Sequence, residues 1–234
     1  ANFTGSMTAY GGNGNNDAPT GKTRGAGGTV YRKAANQTYG DLIVDHNLSL
    51  ANTLLAASTR IHSGITDTTV GNVFLKNYAV LRITNQTLTA YGNWSNSASF
   101  LADAGGTVVL AGAGASPTNV VYGNTAFGAL KCETPGMMLQ FQAGGSNSVS
   151  ELISFKGNAA SNLYLRSTAS PTQWKLNVKA SVGVNKTFDY VDVQDSDARP
   201  GLSPAPVNFV DSGNNSNWTF AVSGQTNIWT GAVD

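Results

Sequence analysis

Short apolar runs separated by Gly- and Asn-rich stretches follow one another along almost the whole chain. Apolar and polar residues alternate within many of these runs, and amphipathic helical spacing is nearly absent. Alternation with a period of two is typical of a strand that buries one face. The sequence therefore predicts an all-β protein, with strands at residues 42–44, 73–75, 79–83, 107–110, 138–141, 152–155, 163–165, 174–178 and 190–193.

Turn-forming pairs of Gly and Asn separate these strands, which is compatible with either a β-sandwich or a stack of parallel coils. The order of phrases favours the stack. Residues 88–93 are echoed by 152–158, and residues 100–106 by 139–145. Repetition in fixed order with drifting length is expected of coils with variable loops. We therefore predict a right-handed parallel β-helix (a β-solenoid), with a β-sandwich as the alternative.

Composition indicates where such a protein works. Hydrophobic residues make up 41% of the chain, which is enough for a core, whereas charged residues make up only 12%, about half the usual share. Solubility then depends on Asn, Ser, Thr and Gly. A polar, weakly charged surface with many turns suits a secreted or cell-surface protein better than a cytosolic enzyme.

Charge and hydropathy argue against two classes of partner. The formal net charge is +1 and the basic residues are scattered, whereas nucleic-acid binding needs Lys and Arg gathered on one face. No apolar run approaches the roughly 20 residues that span a bilayer. We expect neither nucleic-acid binding nor membrane insertion.

The second half of the chain resembles a recurring segment of large bacterial surface and secreted β-helix proteins, such as filamentous-haemagglutinin and autotransporter-like passengers. The resemblance rests on the shared order of several phrases, supported by weaker phrases at residues 25–31 and 39–45. The phrases in the second half are residues 125–130, 139–144, 163–168, 173–178, 190–198 and 211–220. It implies a repetitive, extracellular structural or adhesive protein.

Residues 1–220 are predicted to form a single β-helix domain. Within it, residues 1–40 are Gly/Asn-rich first coils, 41–124 are central coils and 125–220 are the coils that resemble the surface proteins. Residues 221–234 resemble a linker and the truncated start of a following module. We therefore expect the chain to be a fragment or a processed piece of a longer protein.

The densest acidic cluster contains Asp192, Asp195 and Asp197, flanked by Asp189, Asp211 and Arg199. Carboxylates in such groups cap turns, bind structural Ca²⁺ or act in sugar hydrolases and lyases. Asp192 stands between two valines of a strand and should point outward. Asp195 and Asp197 fall at the strand end, so turn capping ranks first, a calcium site second and catalysis last. Ca²⁺ is the one cofactor that the sequence suggests.

Other candidate groups have a simpler interpretation. Cys132 is the single cysteine and lies in a predicted strand, so we expect a buried, inert thiol, although the sequence assigns it no role. His46 and His62 show no metal-binding spacing. A row of aromatic residues on one face would suit sugar rings, but most are expected to pack in the core or loops. The candidates are Tyr10, Tyr39, Tyr78, Tyr91, Trp94, Tyr122 and Trp174.

These observations predict a non-enzymatic stalk segment or filament-forming unit of an extracellular adhesin-like protein. Its expected partners are neighbouring modules of the same protein, or further copies stacked head to tail through open strand edges. The alternative is a carbohydrate-active protein, either a glycan-binding module or a β-helix lyase or hydrolase.

Overall fold

The computed structural model describes residues 7–11, 25–47 and 57–221. Within them the chain forms twenty strands and one short 3-10 helix, Ala180–Val182. In chain order the strands are β1 Gly28–Arg32, β2 Asp41–Asp45, β3 Thr59–Ile61, β4 Thr69–Val70, β5 Val73–Lys76, β6 Val80–Ile83, β7 Thr87–Ala90, β8 Trp94–Asn96, β9 Ser99–Ala102, β10 Thr107–Leu110, β11 Thr118–Gly123, β12 Ala126–Cys132, β13 Met138–Phe141, β14 Ser146–Lys156, β15 Leu163–Ser167, β16 Trp174–Val178, β17 Lys186–Asp189, β18 Val191–Val193, β19 Ser196–Asp197 and β20 Phe209–Asp211.

The strands form three sheets whose neighbours come from distant parts of the chain. The first sheet has the order β1-β2-β5-β8-β11-β13-β15-β18-β20, the second β19-β16-β14-β12-β10-β7-β4 with β17 beside β14, and the third β3-β6-β9. Apart from the antiparallel pair β1–β2, all strand pairs of the described residues are parallel. The predicted all-β class is confirmed, and its sheets are parallel.

Successive strands visit the sheets in a repeating order. From β2 to β10 the chain passes through the first, third and second sheet three times. Later, β14 spans two places: its first half, Ser146–Val149, pairs with β16, and its second half, Ile153–Lys156, pairs with β17. A register shift in β12 between Phe127 and Ala129 marks the corresponding bend. All nine strands predicted from the apolar runs are present.

The core follows from the alternation. In β6, β10 and β13, every second residue is buried, because successive side chains of a strand point to opposite faces. The inward residues form one cluster that runs from Leu42 to Val193, and it includes both Trp94 and Trp174. At about 25 cal/mol per Å² of buried apolar surface, this shared core is the main source of stability.

The two ends of the parallel stack are built differently. At one end β1 pairs antiparallel with β2. On the outer side of β1, the Gly28 N–H donates a hydrogen bond to the main-chain oxygen of Ala9. At the other end aromatic side chains pack on the last core residues. These are Phe188, Phe209, Trp218 and Phe220.

The predicted boundaries fall partly within the described residues. Residues 222–234, which contain most of the predicted linker and following module, lie outside them. Within residues 7–11, 25–47 and 57–221, no helix is long and apolar enough to cross a membrane.

Candidate functional site

Asp192 lies at the centre of a polar network on the outer face of the first sheet. Its neighbours Val191 and Val193 are fully buried in the core, so the carboxylate projects to the opposite face, as predicted. Oδ1 lies 2.8 Å from Arg166 Nη2 and accepts a hydrogen bond from Ser212 Oγ at 2.6 Å. The network thus ties together β15, β18 and the turn after β20.

The Arg166 guanidinium completes this network. Nη1 donates to the main-chain oxygen of Asp192 at 2.6 Å, and the guanidinium carbon lies 5.4 Å from the Tyr164 ring centroid. Only 17% of the Arg166 side chain and 12% of the Asp192 side chain are exposed. Charge-assisted hydrogen bonds of this kind hold β15 and β18 together through the Asp192 Oδ1 atom.

Asp195 is bonded to a distant segment of the chain, whereas Asp197 is bonded to the turn that follows it. Asp195 adopts φ of 55° and accepts a hydrogen bond from Asn214 Nδ2 at 2.6 Å. Asp197 Oδ1 accepts hydrogen bonds from the Arg199 main-chain N at 3.0 Å and from its Nε at 2.8 Å. Hydrogen bonding from the Arg199 side chain lowers the pKa of the Asp197 carboxyl below its usual 3.8. The turn-capping interpretation therefore describes the geometry of Asp197.

The structure does not gather these carboxylates into a metal-binding group. In the part of the chain that is described, no three His, Cys, Asp or Glu side chains are placed to hold one metal ion. Asp189 and Asp211 are also engaged, since they accept hydrogen bonds from Asn208 and Asn215. The calcium site at Asp192, Asp195 and Asp197 stays a prediction that a calcium titration would test.

The two histidines serve separate local contacts. His46 is buried, and its Nε2 lies 2.7 Å from Gly25 O. His62 is exposed, and its Nδ1 accepts a hydrogen bond from Gly64 N at 3.1 Å. Neither contact resembles the ligand set of a metal centre.

Cys132 is fully buried at the end of β12, with its Sγ 3.6 Å from Met137 Sδ. Burial raises the pKa of the thiol to about 12, so the nucleophilic thiolate is scarce at neutral pH. This environment is that of a structural thiol.

The aromatic candidates do not form one exposed row. Trp94 and Trp174 are fully buried in the core. Tyr10 and Tyr122 are 47% and 43% exposed, whereas Tyr39 and Tyr91 stack on each other at the surface. The tryptophans, which are the strongest sugar-stacking groups of the set, are therefore not available to a glycan.

A buried polar network that was not predicted from the sequence lies inside the core at the corner after β8. Asn96 Nδ2 and Trp94 Nε1 both donate to Thr125 Oγ1 at 3.1 Å, and Thr125 N donates to Asn147 Oδ1 at 3.1 Å. Asn147 is fully buried, and its Nδ2 has no partner. The signal that could have located it is the single inward polar position in each of the strands β8 and β14.

A cavity of about 280 Å³ lies at the β1 end of the stack. Its apolar walls include Leu42, Ile61, Val70 and Leu88, which are themselves core residues. Polar residues also line it, namely Thr29, Thr59, Arg60, Asp67, Thr68 and Thr69. None of the candidate carboxylates Asp192, Asp195 and Asp197 lies in this lining.

Comparison with protein family models, with curated proteins and with solved structures found no match to this chain. The resemblance to filamentous-haemagglutinin and autotransporter passengers therefore stays a prediction.

Proposed function

We propose that this chain is a non-catalytic segment of a right-handed parallel β-helix that serves as a stiff spacer in an extracellular surface protein. The observation that carries the proposal is the first sheet, in which parallel pairing continues from β2 through seven further strands to β20. The other two sheets run beside it around one shared core.

The order of the strands supports a helical path for the backbone. From β2 to β10 the chain returns to the same sheet after crossing the two others, and beyond β10 it passes between the first and second sheets, always with parallel pairing. Such a path traces coils around an axis. Parallel connections are right-handed in nearly all proteins because of the strand twist. A β-sandwich would instead depend on hairpins, and the described strands pair antiparallel only at β1–β2.

The stack has the means to be stiff. Neighbouring strands lie about 4.8 Å apart, so the seven strand spacings from β2 to β20 in the first sheet span roughly 34 Å. Every coil completes the main-chain pairing of the next, and side-chain bonds such as Arg166–Asp192 join coils at the surface. Bending the rod would break several of these contacts together.

The chemistry of the described surface supports a structural role over an enzymatic one. The candidate carboxylates are held by Arg166, Asn214 and Arg199. A glycosidase needs two carboxyl groups facing each other across a sugar. The low charge and polar composition support an extracellular location.

The ends of the stack favour neighbouring modules over copies of the chain as partners. A second copy that continued the stack would have to pair with β1, whose direction is opposite to that of the other strands and whose outer side already meets Ala9. At the far end the aromatic side chains around Trp218 cover the core. We therefore favour the spacer over the filament-forming unit.

Paired spin labels test the stack and its stiffness. In the second sheet, register places Thr69, Thr89, Val109, Lys131, Ser154 and Thr187 in one row. Labels on cysteines at positions 69 and 187, in a Cys132→Ala background, are then five steps apart, or about 24 Å along the backbone. The distance between labels at positions 89 and 187 should be about 5 Å shorter than that between positions 69 and 187. Both distance distributions should be narrow.

Broad distance distributions, or distances that do not shorten by one strand spacing, would refute the stiff stack.

A glycan array combined with an assay for reducing or unsaturated sugar ends separates the functional alternatives. A spacer is expected to show neither binding nor turnover. Specific glycan binding would replace the spacer with a glycan-binding module, and release of sugar would show an enzyme.

A further inference from the structure

Tyr39 and Tyr91 form a stacked pair of tyrosines at the protein surface. Their ring centroids are 4.4 Å apart, and the ring planes differ by 16°. Tyr39 comes two residues before β2 and Tyr91 directly follows β7, so the pair joins segments that are 52 residues apart in the sequence. Both side chains are partly exposed.

The backbone holds the two tyrosines at one corner of the stack. Each precedes a glycine, and the corner glycines are linked by main-chain bonds, Gly71 N to Gly40 O at 2.7 Å and Gly92 N to Gly71 O at 2.9 Å. The middle position, Gly71, has no side chain between the two tyrosines. A Cβ there would lie 2.7 Å from Tyr39 O.

A side-chain ladder next to the glycines fixes the same register. Asn72 Nδ2 donates to Asp41 Oδ1 at 2.7 Å, and Asn93 N donates to Asn72 Oδ1 at 2.8 Å. Hydrogen bonding with the Tyr91 side chain raises the pKa of Tyr39 above 10.0. The backbone and side-chain contacts of this corner thus keep the two phenol rings face to face.

Stacked phenols are suited to one chemical reaction in particular. One-electron oxidation of a phenol followed by loss of its proton gives a phenoxyl radical with spin density on the ortho carbons. Two such radicals held in contact couple faster than they can diffuse to another partner. Among the aromatic contacts of the described residues, Tyr39–Tyr91 is the one that joins two tyrosines.

We propose that Tyr39 and Tyr91 are a site of intramolecular dityrosine formation, driven by a haem peroxidase with hydrogen peroxide. Each phenol loses one electron and one proton. A carbon–carbon bond forms between the two ortho carbons, whose hydrogens shift to the oxygens and restore the phenols. The protein loses two hydrogen atoms in total, and hydrogen peroxide is reduced to two molecules of water.

The cross-link would fasten the corner coils of the stack to each other. It closes a long loop of chain, and a covalent link across a long loop restricts the unfolded state. We expect the cross-linked protein to unfold at a temperature several degrees higher than the untreated protein. The site does not depend on the spacer function proposed above.

The experiment treats dilute protein with haem peroxidase and hydrogen peroxide, then analyses the monomer fraction by dityrosine fluorescence and tryptic mass mapping. Residues 34–60 and 83–131 are expected as one linked peptide that has lost two hydrogens. Tyr39→Phe and Tyr91→Phe should each abolish it. Tyr122→Phe is the matched control, since Tyr122 is exposed and lies in the same tryptic peptide as Tyr91, and it should leave the yield unchanged.

Three outcomes would overturn the proposal: no linked peptide in the wild-type monomer, a link that survives Tyr39→Phe, or loss of the link in Tyr122→Phe. Phenylalanine keeps the ring and its stacking, and circular dichroism of each variant checks that the fold is intact. A variant that has lost its fold is replaced by Tyr39→Trp, which can stack but cannot form dityrosine.

Discussion

Thr125 is a buried polar residue whose hydrogen-bond partners come from distant segments of the chain. Thr125 takes hydrogen bonds from both Asn96 and Trp94, and its main-chain N–H is satisfied by Asn147. Buried polar groups that lack partners cost about 1–3 kcal/mol each. Such contacts therefore fix the position of one segment of the chain on the next as well as stabilising it.

Cys132 provides a direct test of core packing. Because its pKa is raised to about 12 by burial, we expect no reaction with a thiol reagent at pH 8 in the native protein and complete reaction after denaturation. Absorbance after addition of dithionitrobenzoate, with and without guanidinium, measures both. Rapid labelling of the native protein would show that β12 opens.

The same thiol affects stability at alkaline pH. An exposed thiol in the unfolded chain ionises near 9.0, whereas the folded one ionises near 12. Stability from the buried thiol is thus complete below pH 9 and is lost as the pH rises from about 9 to 12. The Cys132→Ala variant should lose less stability than the wild type over that range.

The lowered pKa of Asp197 leads us to expect that the stability of the fold falls at acid pH. Its pKa is lowered in the folded protein, mainly by Arg199, so the carboxylate stabilises the fold above the unfolded pKa of about 3.8 and this contribution is lost as the pH falls through the folded value. Arg199→Ala should lower the urea midpoint slightly at pH 7, and this difference from the wild type should shrink as the pH is lowered below 3.8. The exposed Lys33→Ala serves as the control.

At the scale of elements, the corners of the stack allow little variation in side-chain size. Gly40, Gly71 and Gly92 follow one another along one corner, and at Gly123 the φ of +80° and the nearby Asn96 carbonyl both require glycine. At these corner positions close stacking leaves no room for a Cβ.

Replacement of Gly71 tests this spacing. The Cβ of Gly71→Ala would lie 2.7 Å from Tyr39 O and 3.3 Å from Gly40 O, both main-chain atoms that cannot move independently. We expect a loss of about 1–3 kcal/mol in the free energy of unfolding, measured by urea titration. In Gly64→Ala the nearest atoms belong to the exposed His62 ring, so a similar loss there would contradict the explanation.

The contribution of the Arg166–Asp192 ion pair, which joins β15 to β18, can be tested by substitution. Asp192→Ala leaves the partly buried Arg166 guanidinium without its carboxylate, and we expect a loss of about 2 kcal/mol. Because an apolar pair avoids the desolvation cost, the double variant Arg166→Met/Asp192→Leu should recover most of it. If the double variant is instead at least as unstable as Asp192→Ala, the unpaired guanidinium is not the source of the lost stability.

For the whole molecule, the difference between the two ends governs association. With β1 antiparallel at one end and an aromatic cover at the other, we expect a monomer of 24.2 kDa by light scattering at high protein concentration. Removal of residues 1–32 exposes the edge of β2 and should produce association that increases with concentration. Oligomers of the intact chain would restore the filament-forming alternative.

The sequence by itself determined the all-β class, the positions of nine of the twenty described strands and the outward direction of Asp192. Alternation of apolar and polar residues is a local property that the strand backbone converts into two faces. It also placed turn-capping carboxylates at Asp197 from local chain geometry.

Only the tertiary structure decided which strands pair, and hence which distant side chains meet. The Arg166–Asp192 ion pair, the Asn96–Thr125–Asn147 network and the Tyr39–Tyr91 stack each join residues 22 to 52 positions apart. Their contact depends on how many residues separate one strand from the next strand of the same sheet. Because the loops between strands vary in length, no pattern read along the chain reveals that number.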